Sequence, residues 1–198
     1  MNRGRIAILV LVALFGAMAV PSGDAGATIL IKKNLKQLAA EAELIVVGQV
    51  KATRSEWYRD TKLIYTHNTI AVSSVLKGKA GESVVVSEPG GTVGDITGVV
   101  EGAPKYAIGE RVILFCKRDA LGLMRTHGMI QGRFAIVRNR ATREDVVMTA
   151  RTMPWVTHGV FEKGDISRTG TILAEDFLDR VEELVEETAK KTERSEKR

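Results

Sequence analysis

The sequence predicts a mainly β protein, a small antiparallel barrel or sandwich with one helix before its strands and one after them. Two observations lead to this prediction. About seven or eight short apolar segments bounded by turn residues follow one another between residues 44 and 149. Apolar residues at helical spacing appear on either side of these segments, after Asn34 and again from Phe177 onward.

Composition narrows the class further. Of the 198 residues, 44% are hydrophobic and 27% are charged, which excludes a disordered chain and a polytopic membrane protein. The net charge of +5 comes from interspersed residues of both signs, so we expect no nucleic-acid partner. The single cysteine, Cys116, excludes an internal disulfide and a multi-cysteine zinc site, and we expect neither a cofactor nor a metal.

Residues 1–27 are predicted to be a secretory signal peptide. Arg3 and Arg5 precede an uncharged apolar run that is shorter than the ~20 residues of a spanning helix, and the small residues Ala25-Gly26-Ala27 follow. We expect cleavage after Ala27, a secreted or periplasmic protein and no stable membrane span. An uncleaved N-terminal anchor is the alternative. The predicted units are then a signal peptide (1–27), a β-barrel domain (28–172) and a C-terminal amphipathic helix with a charged tail (173–198).

The first half of the chain predicts a helix and three strands. Asn34 is the expected N-cap of a helix of about two turns. Residues 44–53 form a strand that is apolar on both faces at its start, so the helix should cover that part. In the next strand, 63–76, the alternation breaks at Ser73-Ser74, which predicts a β-bulge. A short strand at 84–86 follows.

The second half predicts the remaining strands and the closing helix. Residues 111–117 are the most apolar strand, and 123–127 should return beside it as a hairpin. Two short strands are expected at 134–137 and 146–149. The closing helix carries one apolar stripe, after which the tail from Thr188 is predicted to fray. The stripe consists of Phe177, Leu178, Val181, Leu184 and Val185.

The glycine-rich segment between Pro89 and Gly109 is the expected binding element. It is longer than most connections within a domain, and binding residues concentrate on loops that a rigid scaffold holds. Its apolar residues should pin it to the barrel; whether 95–101 is a strand or a loop stays open. We expect a tight turn and not a phosphate cradle, because no Gly-Lys-Ser/Thr ending follows. The tentative binding residues are Gly90, Gly91, Thr92, Gly94 and Asp95, and the apolar residues are Val93, Ile96, Val99, Val100, Tyr106 and Ile108.

No catalytic constellation is visible in the sequence. Cys116 could be a thiol nucleophile, but its apolar neighbours in a strand predict a buried core residue. His67, His127 and His158 share no metal-ligand spacing, and we expect each to be solvated or hydrogen-bonded singly, the first two on strands. No serine lies in a Gly-x-Ser-x-Gly elbow.

The order of several motifs resembles an uncharacterised family of secreted bacterial proteins. The motifs are AELIVVGQV, VSSVLKGKAGESVVV, EPGGTVG and YAIGERVILFCKRD, within residues 34–137. In layout the chain also resembles netrin-like modules, which include the tissue inhibitors of metalloproteinases. That resemblance implies an OB-type barrel. The inhibitors bind the protease zinc through an N-terminal cysteine, whereas the mature chain here should begin at Thr28, which has no such group.

Three functions follow from these observations. The first is an exported, non-enzymatic binding module with an extracellular protein or glycan partner. The second, implied by the netrin-like resemblance, is an inhibitor or regulator of an extracellular peptidase. The third is an enzyme whose site is not visible in the sequence. The first is favoured because no catalytic constellation was found.

Overall fold

The short helix before the sheet begins where the sequence predicts it. The structure, a computed structural model, describes residues 31–59, 61–148 and 172–196, so the predicted signal peptide and His158 lie outside the described residues. Helix α1 (Leu35–Glu41) is capped reciprocally. The Asn34 side chain accepts the Gln37 N–H at 2.8 Å, and the Gln37 side chain accepts the Asn34 N–H at 2.9 Å.

The strands pair antiparallel in a curled main sheet and in one separate hairpin. The order in the sheet is β10-β9-β8-β6-β1-β2-β3, with β7 beside β6, while β4 pairs with β5 alone. Helix α2 (Ala174–Glu196) follows the last strand. The strands are β1 (Leu44–Trp57), β2 (Ile64–Lys77), β3 (Ser83–Pro89), β4 (Gly91–Val93), β5 (Ile96–Gly98), β6 (Arg111–Arg118), β7 (Met124–Thr126), β8 (Arg133–Arg138), β9 (Asp145–Met148) and β10 (Ile172–Leu173).

The predicted bulge in β2 is confirmed. Val47 pairs with Ser74 and Gly48 pairs with Val72, so Ser73 is an extra residue without a partner across the ladder. Its hydroxyl donates to the Val47 carbonyl at 3.0 Å. The extra residue explains the broken alternation in the sequence, and bulges of this kind increase the twist of long strands.

Both helices pack on one face of the sheet. Ile45 and Val47 of β1 lie in the same core as Leu38 of α1, which confirms that the helix covers the first half of β1. Phe134 lies at the centre of this core, with ring centroids 5.5 Å from Phe115 and 4.8 Å from Phe177 of α2. This helix-covered core holds the two ends of the described chain together.

The opposite face of the sheet carries a second core. Val46 and Val50 of β1 meet Ile70 of β2, and Leu114 and Cys116 of β6 join them. No helix lies on this side among the described elements. Part of the cover comes instead from the predicted binding segment, which places Tyr106 against this core.

The mainly β class, with one helix before the strands in sequence and one after them, is confirmed, but the sheet is not closed. Strands β3 and β7 lie close together, and no backbone ladder joins them in the described part of the chain. Instead, the Thr126 N–H donates to the Glu88 carboxylate at 2.9 Å. A side chain thus accepts the hydrogen bond that a strand carbonyl would accept in a closed barrel.

The stripe on α2 is confirmed, but the prediction that the tail frays from Thr188 is wrong. The helix continues through Glu196. The Thr188 hydroxyl donates to the Leu184 carbonyl at 2.7 Å, and Lys190 pairs with Glu186 one turn earlier. Good helix formers and i,i+4 pairs extend the helix beyond its last apolar contact. The described helices include no apolar segment of membrane-spanning length.

Candidate binding site

The glycine-rich segment after β3 covers one end of the second core and is held at both ends. At its start, the Gly90 N–H donates to the Ile64 carbonyl at 2.8 Å. Near its other end, the Tyr106 hydroxyl shares a hydrogen bond of 2.5 Å with the Thr126 hydroxyl. The segment is therefore an ordered flap with a defined inner surface.

Strands β4 and β5 form a small hairpin within this segment. The two turn residues are Gly94 and Asp95, and Gly94 has a φ of +57°. Glycine adopts this conformation without strain, and a positive φ at the first turn position is typical of two-residue hairpins. The tight turn is confirmed. The open question about 95–101 is also answered: residues 96–98 form a strand, which pairs with β4 and does not join the main sheet.

Gly91 allows the hairpin to approach the main sheet closely. Its φ is +132°, and a Cβ atom there would lie 2.3 Å from Thr66 Oγ1 and 2.4 Å from Ser55 Oγ. These two hydroxyls hydrogen-bond to each other at 2.9 Å. Any side chain at residue 91 would push the hairpin away from β1 and β2.

The prediction that all the apolar residues of the segment pin it to the sheet is wrong for three of them. Ile96, Val99 and Ile108 are 56%, 75% and 69% exposed. Pro104 is buried, and Tyr106 packs against the second core. Backbone hydrogen bonds at the start of the segment replace the expected apolar contacts, so these three side chains remain in solvent.

A cavity of about 310 Å³ lies between the flap and the sheet. Strands β2 and β3 contribute the polar residues Thr66, Asn68 and Glu88 to its lining. The flap supplies apolar walls and the start of the hairpin. These flap residues include Gly90, Gly91, Thr92, Val99, Val100, Ala103, Pro104, Lys105 and Tyr106.

Three of the five predicted binding residues line this cavity. They are Gly90, Gly91 and Thr92. Gly94 and Asp95 form the hairpin turn and do not contribute to the cavity lining. The structure thus brings the first part of the predicted loop to a cavity and places its tip outside.

Glu88 is the main charged group of the cavity and is only 2% exposed. Its Oε1 accepts the Thr126 N–H, whereas its Oε2 has no hydrogen bond and lies 4.0 Å from Arg125 Nε. Burial raises the pKa of Glu88 to about 7, because the charged form loses hydration. The hydrogen bonds from Thr126 and the Arg125 charge oppose this shift only in part.

Asn68 is the second buried polar group of the cavity, at 1% exposure. Its amide nitrogen donates to the carbonyls of Val86 and Thr66 at 3.2 Å and 3.3 Å. Its Oδ1 has no hydrogen-bond partner. The Nε atoms of Arg125 and Arg133 are also buried without a hydrogen bond. Because most buried polar atoms in proteins are hydrogen-bonded, the two oxygens without partners make this cavity the candidate ligand site.

Sequence analysis missed both of these residues, although the sequence contains the signal. Glu88 continues the alternation of Val84 and Val86, which face the second core. Asn68 precedes Ile70 in the same way on β2. A polar residue at a core-facing position of a strand is the pattern that could have found them.

Tyr106 closes the cavity on the flap side. Burial, and then the charge of Glu88, raise the pKa of the Tyr106 hydroxyl, so it remains protonated. The Arg133 guanidinium lies over the ring, 5.3 Å from its centroid. The side chain therefore serves as a fixed neutral wall.

Cys116 is fully buried, which confirms the prediction that it is a core residue. Burial raises the pKa of its thiol far above the usual range, and the charge of Glu88 adds to the effect. The thiolate needed for nucleophilic attack is therefore not formed at neutral pH.

We expect Cys116→Ser to lower the free energy of unfolding by about 1–3 kcal/mol, because a hydroxyl would replace the thiol at an apolar position. The native protein should react slowly with a water-soluble thiol reagent, and the denatured protein should react fast. Fast labelling of the native protein would contradict the assignment of Cys116 to the core.

His67 belongs to a polar cluster on the outer face of β2 and β3. Its Nδ1 lies 2.7 Å from Ser87 Oγ, and its Nε2 lies 3.3 Å from Glu56 Oε1. The order serine, histidine, glutamate is that of a hydrolase relay. Ser87 is only 3% exposed, however, so a substrate carbon cannot reach its hydroxyl. The cluster therefore satisfies buried polar groups.

His127 lies directly after β7, not on a strand as predicted. Its Nε2 contacts Glu41 Oε2 at 3.0 Å, and Lys33 contacts the same oxygen at 2.7 Å. Burial lowers the pKa of His127, and Glu41 opposes the shift. The described residues contain no group of three or more His, Cys, Asp or Glu residues that could hold a metal ion.

A larger groove of about 460 Å³ lies between α1 and the end of α2, but its chemistry is weaker. Its charged residues include Lys36 and Lys190, which already pair with Glu187 and Glu186. These side chains are exposed, so bulk water solvates them. The smaller cavity at Glu88 is therefore the candidate site.

The fold and this cavity define a mainly β protein with a buried carboxylate at a site of small-ligand size. No family model matches the chain, and no curated protein matches it either. The resemblance to secreted bacterial proteins and to netrin-like modules stays a prediction. A function for this protein is therefore inferred from the geometry of the cavity.

Proposed function

We propose that this protein is an exported, non-enzymatic binding module that holds its ligand in the cavity between the flap and strands β2 and β3. One observation carries the proposal: Glu88 is buried at this cavity with a carboxylate oxygen that has no hydrogen bond. Export is proposed from the pattern of residues 1–27.

The free-energy cost of burying Glu88 supports a functional role. A buried carboxylate without full compensation destabilises a fold, and an apolar residue at this position would avoid that cost. Strand β3 already places Val84 and Val86 on the same face. A residue that opposes stability at a cavity is typical of a binding or active site.

The size of the cavity favours a small ligand or a single protruding group of a larger partner. Ligand sites usually have volumes of about 300–1,000 Å³, and the value of about 310 Å³ lies at the lower end. Binding without catalysis is proposed because two candidate nucleophiles among the described residues, Cys116 and the histidine-bonded Ser87, are both buried. A protein or glycan partner would therefore insert one small group.

Cavity-filling variants test the proposal. Thr92→Trp and Ala103→Phe place a large side chain in the lining, and Asp95→Ala changes the hairpin turn outside it. We expect ligand-observed NMR with a mixture of butylammonium, butyrate, 1-butanol and a methyl glucoside to detect binding to the wild type. Either filling variant should abolish this binding.

The controls separate a binding defect from an unfolded variant. Thermal melts should show that at least one filling variant folds, and Asp95→Ala should bind as the wild type does. Binding that survives in a folded filling variant, or no binding of any probe to the wild type, would overturn the proposal.

A further inference from the structure

We infer that the cavity recognises an organic ammonium group on an apolar body, whose nitrogen donates hydrogen bonds to Glu88 Oε2 and Asn68 Oδ1. This inference rests on the proposed function and adds the chemical class of the ligand.

The unpaired atoms determine the polarity of the ligand. Glu88 Oε2 and Asn68 Oδ1 are both acceptors, and both residues line the cavity. A ligand must therefore supply donors, and an ammonium group carries several donors and no acceptor. It also neutralises a carboxylate through a charge-assisted hydrogen bond.

The register places the two acceptors on one surface. Glu88 pairs with Thr66 across β2 and β3, and Val86 pairs with Asn68. Glu88 and Asn68 are thus diagonal neighbours on one face, at a separation of about 7–8 Å that long side chains can span. The two side chains therefore lie on one face of the sheet, where a single ligand group can approach both.

No described cation hydrogen-bonds to Glu88 Oε2, and the Arg125 Nε beside it is also buried without a hydrogen bond. Arg125 Nε lies 4.0 Å from Glu88 Oε2, beyond hydrogen-bond distance, and Arg125 is not part of the cavity lining. Lys105 lines the cavity and is exposed. The positive charge of Lys105 at the rim repels an incoming cation and so limits the affinity for the ligand. Because its side chain is exposed, Lys105 does not itself occupy the position of the ligand beside Glu88.

The walls select for an apolar body. Val100, Pro104 and the ring of Tyr106 line the same cavity as Glu88 and Asn68, and the exposed Val99 lies at its rim. A short alkyl or aryl chain can contact these side chains while its nitrogen reaches the strands. Free amines and lysine side chains share this chemistry.

Protonation of Glu88 should control binding, since its pKa of about 7 puts the titration near neutral pH. Four titratable or charged groups act on the carboxyl group: Arg125 on β7, Asp119 in the turn between β6 and β7, Tyr106 on the flap and Cys116 on β6. Tyr106 and Cys116 stay protonated, so the charge that changes is that of Glu88. Affinity should be highest above pH 7 and should fall below it.

The test is a titration followed by the Thr126 amide signal, because this N–H donates to Glu88. We expect n-butylammonium at pH 8 to shift the signal saturably, whereas butyrate and 1-butanol should not. Glu88→Gln should weaken butylammonium binding at least tenfold, and Lys105→Gln should tighten it severalfold. Glu101→Gln removes an equal charge from the flap outside the cavity lining and should leave binding unchanged.

The outcomes distinguish this inference from the proposed function. If butyrate or 1-butanol binds in a way that Thr92→Trp abolishes, and butylammonium does not bind, the ammonium assignment falls and the binding module stands. If no probe binds, both fall. Equal effects of Glu88→Gln and Glu101→Gln would also overturn the assignment. If N-acetyl-lysine-methylamide binds, the ammonium group that the cavity recognises is that of a lysine side chain. If it does not bind although butylammonium does, the ligand is a free amine. Both results support ammonium recognition.

Discussion

Phe177→Ala is expected to lower the free energy of unfolding by about 3–5 kcal/mol. Phe177 is only 1% exposed and lies 4.8 Å from the Phe134 ring, centroid to centroid. Its removal leaves a cavity between α2 and the sheet. Urea denaturation of the wild type and the variant measures the difference.

A matched control identifies the cause of this loss. Leu173 directly precedes α2 and is 37% exposed, so Leu173→Ala removes apolar atoms near the helix that are less buried than the Phe177 ring. We expect it to lower the free energy of unfolding by only about 1–2 kcal/mol. A loss for Phe177→Ala that is no larger than for the control would show that α2 does not stabilise the fold through this ring.

Glu88→Gln is expected to stabilise the protein at pH 8, by up to about 3 kcal/mol. The pKa of Glu88 rises from 4.5 in the unfolded chain to about 7 in the folded one, so the folded state binds more protons between these values. The free energy of unfolding of the wild type therefore falls as the pH rises from about 4.5 to 7 and stays low above pH 7. The total loss is about 3 kcal/mol, because each unit of pKa difference corresponds to 1.36 kcal/mol. Glutamine keeps an oxygen for the Thr126 N–H and carries no charge.

The difference between the two proteins isolates the effect of Glu88. His127 also titrates in this range, with its pKa lowered, so its contribution to stability falls as pH drops below about 6.5. That contribution is common to both proteins and cancels in the difference. Melting temperatures at pH 8 should differ by roughly 6–12 °C, and the difference should vanish near pH 4.5. A difference that does not change with pH would contradict the raised pKa.

Together with the ligand titration, Glu88→Gln tests whether this residue lowers the stability of the fold and raises the affinity for the ligand. Replacing a side chain that only supports the fold should lower the stability of the protein. Glu88→Gln is expected instead to gain stability and lose affinity for an ammonium probe, which is typical of residues retained for binding.

The sequence alone was sufficient for features that neighbouring residues control. Asn34 and Gln37 cap α1 through their own backbone atoms, and the broken alternation at Ser73 shows the bulge because strand residues alternate strictly between faces. The burial of Cys116 followed from the apolar residues around it. The glycine-rich segment was also recognised as the candidate binding element, together with three residues that line the cavity.

The tertiary structure decided which groups of distant strands meet. Glu88 and Asn68 form one surface only because β3 pairs with β2 in a particular register, and Tyr106 covers them because the flap folds back over the second core. The N–H of Thr126, 38 residues from Glu88 along the chain, donates a hydrogen bond to one carboxylate oxygen and leaves the other without one. Local sequence patterns determined the helices and strands of this protein. The candidate site depends instead on the pairing of distant strands, because that pairing sets the burial and the pKa of Glu88, which no short stretch of sequence specifies.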